Sequence, residues 1–223
     1  MTMTMIHQLT RNEEDYLKAI DKLANDLGQI GTNALAKHLK LAAPSVTAMV
    51  QKLDGKGLVN YVKYGGISLT ASGQRQAIQL LRNHRLWEVF LSEHLGFAWD
   101  QVHDIAEQLE HVRSQELIAR LDRFLGEPKI DPHGDPIPSN DLVVQATEGT
   151  TFFAAKSGNS CTLVAAADNQ NLLAKLNAAR VSLGSALVKT GVDKQGHHLM
   201  HVHGQSIAFS EAEAKQLQVS LNH

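Results

Sequence analysis

Residues 41–59, LAAPSVTAMVQKLDGKGLV, decide the fold of the first part of the chain. Pro44 is a favoured residue for the first turn of a helix, and the apolar residues after it recur at helical spacing until two glycines end the pattern. Strand-like runs follow at 58–62 and 67–69, with a glycine-containing turn at 64–66 between them. The stretch therefore predicts a helix followed by a small hairpin.

The chain before residue 41 predicts two more helices. Thr10 and Glu13 have the spacing of a capping box, which indicates where the first helix begins. The second begins near Thr32, after two glycines that end the first. Short helices separated by a tight turn and followed by a hairpin are the order of a winged helix-turn-helix domain, which we place at residues 1–75.

The helix that begins at Pro44 is the candidate for reading DNA. Small hydroxyl side chains near its start suit close approach to bases and phosphates, and the lysines suit phosphate contacts. The alternative is a helical bundle whose polar face is only solvated. The predicted DNA-contacting residues are Pro44, Ser45, Thr47, Ala48, Gln51, Lys52, Lys63 and Tyr64.

Charge is distributed unevenly along the chain. Residues 1–75 carry nine Lys and Arg against six Asp and Glu, residues 76–140 carry six against eleven, and residues 141–223 carry six of each. A basic first part suits nucleic acid and an acidic middle part suits cations. The twelve histidines also point to metal binding.

Other composition features narrow the class of protein. A single cysteine, Cys161, excludes a disulfide framework and a zinc site built from several thiolates, and its expected role is that of a small core residue. There is no apolar run long enough for a transmembrane helix and no visible signal peptide. We expect a soluble cytoplasmic protein.

The middle part predicts two helices that carry metal-ligand residue types. The first, from Ser72 to about His94, places His84 and Glu88 on one face. The second, from Trp99 or Asp100 to Leu109–His111 or slightly beyond, has no Lys or Arg between 101 and 112, so its acidic side chains repel one another unless a cation compensates. A solvated acidic face is the alternative. The polar stripe of this second helix comprises His103, Glu107, Glu110 and His111.

Several stretches resemble the diphtheria-toxin-repressor family of metal-dependent transcriptional regulators. They are NEEDYLKAI at 12–20, the stretch at 41–59, RNHRLWEVFL at 82–91, VHDIAEQLEHV at 102–112 and PHGDPIP at 132–138. The resemblance covers residues 9–140 and continues more loosely beyond. It implies a homodimer that binds double-stranded operator DNA when loaded with Mn²⁺ or Fe²⁺ and represses genes for metal uptake. It implies no enzymatic activity, no small-molecule substrate and no membrane partner.

The resemblance also assigns metal ligands by position. Methionine and cysteine occupy the positions of Asp15 and Glu107 in the iron-responsive branch, so carboxylates there favour the manganese-responsive branch, with other divalent metals such as Zn²⁺ able to substitute in vitro. One type of manganese regulator has an acid where this chain has Lys18, which argues against a two-manganese cluster. The implied primary ligands are Asp15, Glu107, Glu110 and His111, and the implied ancillary ligands are His84, Glu88, His103 and Asp168, with Asn171 as a weaker candidate for the last position.

The remaining chain predicts a small β-rich domain. Residues 126–141 hold four of the five prolines and form a linker at the end of a helical domain placed at 76–140. The pattern at 141–223 resembles the SH3-like barrel of longer family members. The predicted fold is thus α+β and multidomain. The expected strands are 142–146, 151–155, 161–166, 185–190, 198–203 and 205–209, with a helix at 169–177.

Three questions stay open at this point. The tract with His197, His198, His201 and His203 suits either the polar face of a strand or a third metal site. A metal-dependent hydrolase in which the helix-turn-helix serves assembly is the main alternative function, although HExxH, GxSxG and phosphate-binding glycine loops are missing from the sequence. A DNA-binding regulator that senses a small ligand is the third.

Overall fold

The computed structural model describes residues 9–24, 28–63, 65–147 and 149–222. The chain forms two compact units. The first comprises the residues up to 84 together with 110–113 and 138–143, and the second comprises 85–109, 114–137 and 144–223. The division of the sequence into domains at 75 and 140 stays a prediction.

The first unit contains the expected helix-turn-helix and wing. Both hydrogen bonds of the predicted capping box are present: Glu13 N donates to Thr10 Oγ1 over 3.3 Å, and Thr10 N donates to Glu13 Oε2 over 2.8 Å. The third helix has proline in its first turn, as predicted. The elements are α1 (Arg11–Leu23), α2 (Thr32–Leu39), α3 (Ala43–Gly55), β1 (Val59–Val62) and β2 (Gly66–Leu69), followed by the first part of α4 (Ala71–Glu93).

The apolar faces of these helices form one core with the wing. Leu17 and Ile20 of α1 are buried in the same cluster as Val50 of α3 and Ile67 of β2. The start of α4 also packs tightly, because a Cβ on Gly73 would lie 2.0 Å from the carbonyl oxygen of Leu58. Only glycine therefore allows α4 to begin directly against the wing.

The helical part of the second unit comprises the end of α4 with α5 (Val102–Leu109) and α6 (Gln115–Phe124). The sequence did not predict α6, whose N-cap is Ser114 and whose buried side chains include Ile118 and Leu121. The expectation of one helical stripe from His103 to His111 is wrong, because α5 ends at Leu109. Glu110 and His111 lie in the turn that follows.

The remainder of the second unit is an SH3-like antiparallel sheet with six strands in the order β3-β8-β4-β5-β6-β7. Cys161, expected to be a core residue, is fully buried in β4. The elements are β3 (Thr150–Thr151), β4 (Ser160–Ala166), α7 (Gln170–Ala178), β5 (Ala186–Val192), β6 (His198–Val202), β7 (Gln205–Phe209), α8 (Glu211–Ala214) and β8 (Leu217–Leu221).

Two strand predictions in this region are wrong and one strand was missed. Residues 142–146 form no strand, and the side chains of Val143 and Val144 are exposed, so this apolar run does not bury a face. The strand expected at 151–155 is reduced to the two residues of β3. The missed strand, β8, pairs with both β3 and β4. The run of acids and alanines just before it has a helix-like composition, so the sequence does not indicate where the strand begins.

No helix in the part of the chain that the structure describes is long and apolar enough to cross a membrane.

A buried carboxylate joins α1 to the candidate DNA-reading helix. Glu13 is fully buried, and its Oε1 lies 2.6 Å from Lys56 Nζ and 3.2 Å from Lys52 Nζ. Burial alone would raise the pKa of Glu13, but the hydrogen bonds from Lys56, Thr10 and Lys52 outweigh it and lower the pKa from 4.5 to about 2. Lys52, predicted to contact DNA phosphate, therefore also pairs within the protein.

This ion pair predicts a pH-dependent stability. A carboxylate whose pKa is lowered by folding stabilises the protein above about pH 4.5, and that contribution disappears as the pH falls towards 2. Glu13→Gln should lower the free energy of unfolding at pH 7 by about 1–3 kcal/mol. Urea unfolding from pH 7 down to pH 2 should show the difference between variant and wild type shrinking below pH 4.5. A difference that is constant with pH would contradict the ion-pair explanation.

Candidate metal centre and DNA-contact face

Glu110 is the buried centre of a cluster of polar side chains in the first unit. Its Oε2 lies 2.5 Å from His84 Nδ1, and Lys18 Nζ of α1 donates to both carboxylate oxygens over 2.9 and 2.7 Å. Its backbone oxygen accepts from Asn83 Nδ2 over 3.1 Å, which fastens the turn after α5 to α4. The sequence indicated no basic residue near these acids along the chain, and the structure supplies Lys18 from another helix.

His111 directs one ring nitrogen at two carboxylates. Its Nδ1 lies 2.6 Å from Glu14 Oε2, while its Nε2 lies 3.2 Å from Asp15 Oδ1 and 3.7 Å from Glu110 Oε1. The Nε2 atom is buried and forms no hydrogen bond with any described residue. With the proton on Nδ1 facing Glu14, the lone pair on Nε2 points into the carboxylate pair, which is how protein imidazoles bind metals.

The donor set of this first cluster fits a divalent metal. Asp15, Glu110 and His111 each have a ligand atom within 4.8 Å of the others. Burial raises the pKa of Asp15 and the charge of Glu110 raises it further, while the charges of His111, Arg11 and Lys18 lower it. A cation among these oxygens would offset the repulsion between the two carboxylates.

A second cluster lies in the second unit and alternates carboxylates with imidazoles. Glu88 Oε1 lies 3.7 Å from Nδ1 of His103 and 3.7 Å from Nδ1 of His133. Asp168 contacts His103 Nδ1 through Oδ2, and its Oδ1 lies 4.0 Å from His133 Nε2. Glu107 Oε1 lies 3.4 Å from His103 Nε2.

The carboxylates of the second cluster strongly favour protonated histidines. Burial lowers the pKa of His103, but its hydrogen bonds with Asp168, Glu107 and Glu88 outweigh burial and raise the pKa to about 11. Burial likewise lowers the pKa of His133, and contact with Glu88 together with the charges of Asp131 and Asp168 raises it to about 9. The same negative potential that holds these protons would attract a divalent cation.

Within each unit, several of the predicted ligands lie together. The first unit brings Asp15, His84, Glu110 and His111 together, and the second brings Glu88, His103, Glu107 and Asp168 together. Glu107 contacts His103 in the second unit, and His84 contacts Glu110 in the first. The assignment of these residues as metal ligands stays a prediction. The backbone N of Asn171 donates to Asn169 as part of a helix cap.

Sequence reasoning missed Glu14, Asp131 and His133 as members of these clusters. Glu14 directly precedes a predicted ligand, but nothing in the helical spacing distinguishes it from a solvated first-turn acid. His133 and Asp131 belong to the segment around PHGDPIP, which was identified only as a family resemblance. No pattern of spacing along the chain connects that segment with Glu88.

The histidine tract does not converge on a metal site. His198 is buried against the ring of Phe153, with ring centroids 4.9 Å apart, and His197 pairs with Asp193 over 3.1 Å. His201 and His203 are exposed. Among the described residues, no group with metal-ligand spacing includes a residue of this tract.

The predicted DNA-contacting side chains mostly lie on the exposed face of α3. Thr47 is half-buried, and its hydroxyl donates to the carbonyl oxygen of Ala43 over 3.0 Å. Lys63 is exposed in the wing, and Tyr64 lies outside the described residues. The exposed residues of α3 in this set are Pro44, Ser45, Ala48, Gln51 and Lys52.

Two descriptions of known protein families match the helix-turn-helix part and the helical part of this chain. The family description "Iron dependent repressor, N-terminal DNA binding domain" matches residues 8–67, and "Iron dependent repressor, metal binding and dimerisation domain" matches residues 70–139. An uncharacterised helix-turn-helix transcriptional regulator of Methanocaldococcus jannaschii is 36% identical over 118 residues, which are 52% of this chain and 94% of that protein. This chain belongs to the iron-dependent repressor family. Members of the family are metal-responsive DNA-binding repressors and not enzymes, so the hydrolase alternative has no support.

Two further relatives of this repressor-family chain differ in how much of it they match. The iron-dependent repressor IdeR of Mycobacterium leprae is 33% identical over 137 residues, which are 60% of this chain and only 58% of that relative's length. A solved manganese-dependent transcriptional repressor in complex with manganese is 33% identical, with a TM-score of 0.83, and the match covers 94% of this chain and all of that one. The likeness to the solved structure thus includes the SH3-like part.

The contact between Glu14 and His111 predicts an effect on metal affinity. Glu14→Gln should weaken Mn²⁺ binding by about 10–100-fold, which is typical for loss of a carboxylate that orients a metal-ligating histidine. Isothermal titration of the metal-free variant and wild type with Mn²⁺ measures the change. Glu116→Gln, which removes an exposed acid paired with Arg120, is the matched control. Equal affinity for Glu14→Gln and wild type would refute a role for Glu14 in orienting His111.

Proposed function

We propose that this protein is a metal-gated transcriptional repressor that binds double-stranded operator DNA as a homodimer in the cytoplasm and controls genes for metal uptake. The observation that carries the proposal is the cluster at Glu110. It brings Asp15 and Glu14, from the first helix of the helix-turn-helix, against Glu110 and His111 of the turn after α5. A divalent cation there would be held by residues on both sides of this contact.

The gating follows from the charges in the cluster. Without a metal, Asp15 and Glu110 repel each other, with Lys18 and His84 as the compensating partners of Glu110. Metal ligands from α1 and from the turn after α5 hold the helix-turn-helix in one orientation. In a dimer, fixed orientation sets the spacing of the two α3 helices, so that both operator half-sites are met together.

A metal site of this kind can supply the free energy that is required to shift the protein from the inactive to the active state. A shift from mostly inactive to mostly active protein requires about 5.5 kcal/mol of differential binding energy. The metal contributes only to the extent that it binds the DNA-competent orientation more tightly. The proposed ligands come from two separate segments, Asp15 from α1 and Glu110 and His111 from the turn after α5. All of them can contact one ion only when α1 lies beside that turn, so the metal binds this orientation more tightly than any other.

Mn²⁺ is the metal that the donor set favours. Asp15 and Glu110 are hard oxygen ligands, as is Glu107, the remaining primary ligand implied by the family resemblance. Fe²⁺ is the second candidate. Zn²⁺ would bind in vitro because N/O sites hold it more tightly than either metal, so the metal used in the cell depends on geometry and supply.

A second metal would bind at the ancillary ligands implied by the resemblance. Glu88, His103 and Asp168 lie together in the second unit, which supports this part of the proposal. His84 is the remaining predicted ligand of that site. The same histidine contacts Glu110 of the first cluster.

The proposal predicts metal-dependent DNA binding that needs Glu110. Metal-stripped protein should bind promoter DNA from a metal-transporter gene only after addition of Mn²⁺ or, anaerobically, Fe²⁺, as measured by fluorescence anisotropy. Glu110→Gln removes a buried anionic ligand and should abolish metal-dependent binding, while Glu116→Gln should behave as wild type. Circular dichroism and sedimentation show whether the variant is still a folded dimer.

Two results would contradict the proposal. Equal binding with and without metal would favour a regulator that senses a small ligand. Unimpaired metal-dependent binding by Glu110→Gln would remove the first cluster from the mechanism. Glu107→Ala in the same assay tests whether Glu107 is a primary ligand, in which case metal-dependent binding is lost, or acts only beside His103.

The position of Lys18 predicts competition between its ammonium group and the metal. Lys18→Met removes a cation that donates to both oxygens of Glu110, so it should tighten Mn²⁺ binding by about tenfold, because hydrogen bonds between charged groups contribute about 1.5–3 kcal/mol. The metal-free variant should also unfold more easily. Lys22→Met, an exposed lysine on the same helix, is the control in calorimetric titration. Unchanged or weaker Mn²⁺ binding by Lys18→Met would exclude competition.

A further inference from the structure

Two lysines at the end of α3 share one buried carboxylate of α1. Glu13 is fully buried, and its Oε1 lies 2.6 Å from Lys56 Nζ and 3.2 Å from Lys52 Nζ. We call Glu13, Lys52 and Lys56 the lysine triad. Two ammonium groups and one carboxylate give the triad a net charge of +1, so it carries one positive charge in excess at the end of the candidate DNA-reading helix.

The carboxylate of Glu13 is held through both of its oxygens. Oε2 accepts a hydrogen bond from Thr10 N over 2.8 Å, while Oε1 faces the two lysines. Burial raises the pKa of Glu13, but the hydrogen bonds from Lys56, Thr10 and Lys52 lower it to about 2, so the group is ionised at neutral pH. A buried anion of this kind is strongly destabilising if it loses its cationic partner.

The two lysines differ in their exposure to solvent. The side chain of Lys56 is 22% exposed, whereas that of Lys52 is 54% exposed. The shorter contact and the deeper burial make Lys56 the partner that neutralises Glu13. An ammonium group has three donors, so Lys52 can face Glu13 with one N–H and a ligand in solvent with another.

The backbone that carries both lysines is also tied to the wing. Lys56 is the C-cap of α3, and Asp54, which lies between the two lysines, accepts a hydrogen bond from Tyr61 N of β1 over 3.1 Å at Oδ1. The carbonyl oxygen of Gly57 accepts from Thr70 Oγ1 over 2.7 Å. The end of α3 is therefore held by the wing as well as, through Glu13, by α1.

A backbone phosphate of duplex DNA is the ligand that the excess charge suits. Lys52 belongs to the same exposed set of α3 side chains as Ser45 and Gln51, the candidates for contact with DNA. Lysine binds phosphate as a point charge, and phosphate contacts fix the register of a protein on the duplex. Holding a long side chain in place before binding reduces the rotamer entropy that it loses on binding.

We propose that Lys52 binds a DNA backbone phosphate and that Glu13 and Lys56 are positioning residues, which hold the Lys52 ammonium group and leave its charge available. The inference rests on the proposed function, because it specifies how the reading helix is held on DNA. Lys56 acts only through Glu13. Without Lys56, the buried carboxylate would take Lys52 as its partner and neutralise the charge that the phosphate requires.

The salt dependence of DNA binding counts the phosphate contacts. The logarithm of the association constant falls linearly with the logarithm of the salt concentration, with a slope of about −0.9 for each phosphate that the protein neutralises. Fluorescence anisotropy with the Mn²⁺-loaded protein and the promoter duplex, repeated over a series of KCl concentrations, gives this slope for the wild type and each variant.

The proposal predicts a loss and a rescue. Lys56→Met should reduce the magnitude of the slope as much as Lys52→Met does, by about 1.8 for a dimer with two reading helices. Glu13→Gln/Lys56→Met should restore the wild-type slope, because residue 13 then carries no charge that neutralises Lys52. Lys215→Met is the matched control, since Lys215 is an exposed lysine that also lies 2.6 Å from a glutamate, and its slope should equal that of the wild type.

Three results would overturn the inference. A wild-type slope for Lys56→Met would show that Lys56 has no influence on phosphate binding. A slope reduced equally in Lys56→Met and in Glu13→Gln/Lys56→Met would show that Lys56 itself contacts phosphate. An unchanged slope for Lys52→Met would exclude Lys52 as the phosphate ligand. Failure of the proposed function is distinguishable from all three, because the Mn²⁺-loaded wild type would then not bind the duplex at all.

A measurement on the wild type keeps the test valid if Lys56→Met does not fold. With ¹⁵N-labelled lysine, binding of the duplex should shift the Nζ resonance of Lys52 and leave that of Lys56 at its DNA-free position. A Lys52 resonance that does not move, or a Lys56 resonance that moves as far as that of Lys52, would overturn the inference.

Discussion

Two carboxylates, Asp15 and Glu110, lie within 4 Å of one buried imidazole nitrogen, His111 Nε2, and this arrangement is the constraint on which the proposed function depends. The nitrogen forms no hydrogen bond with any described residue, and Glu14 fixes the ring from its other side. Like charges held this closely require a positive partner. In the structure that partner is Lys18, an ammonium on a flexible stem from the same helix as Asp15.

In the proposed function, this constraint is the reason that one contact would control DNA binding. Helix α1 packs through Leu17 and Ile20 into the core that also holds α3, and Glu13 joins it to Lys52 and Lys56 of the same region. Anything that fixes α1 therefore fixes the candidate DNA-reading helix. This packing sets the exposed polar face of α3, while the proposed metal ligand of α1 is Asp15, which lies outside that face. Under the proposal, the residues that bind the metal and the residues that contact DNA are different, but they belong to helices that share one core.

Much of the fold could be predicted from sequence because its signals are local. The capping box at Thr10, the proline at the start of α3 and the apolar spacing of α4 each depend on neighbours within one helical turn. The predictions were wrong where contacts between residues distant in sequence determine the secondary structure. Residues 142–146 look strand-like but bury no face, and β8 becomes a strand only because β3 and β4 pair with it. Helix α5 ends at Leu109, before the acidic pattern does.

The two clusters of carboxylates and histidines could also be predicted only in part from the sequence. Spacing along α4 and α5 indicates the residue types that bind metals, but it cannot show that Lys18 reaches Glu110 or that Asp131 turns His133 towards Glu88. Those contacts join residues that are distant in sequence. The position of His133 depends on the turn at Gly134, which approaches Val164 of β4 closely.

The most direct test of the central claim is an anomalous difference map from crystals of the Mn²⁺-loaded protein, collected on both sides of the manganese absorption edge. We expect a peak within bonding distance of His111 Nε2, a Glu110 carboxylate oxygen and an Asp15 carboxylate oxygen, with Lys18 Nζ displaced from Glu110. A fully Mn²⁺-loaded crystal with no peak at these atoms, and with Lys18 still bound to Glu110, would contradict it.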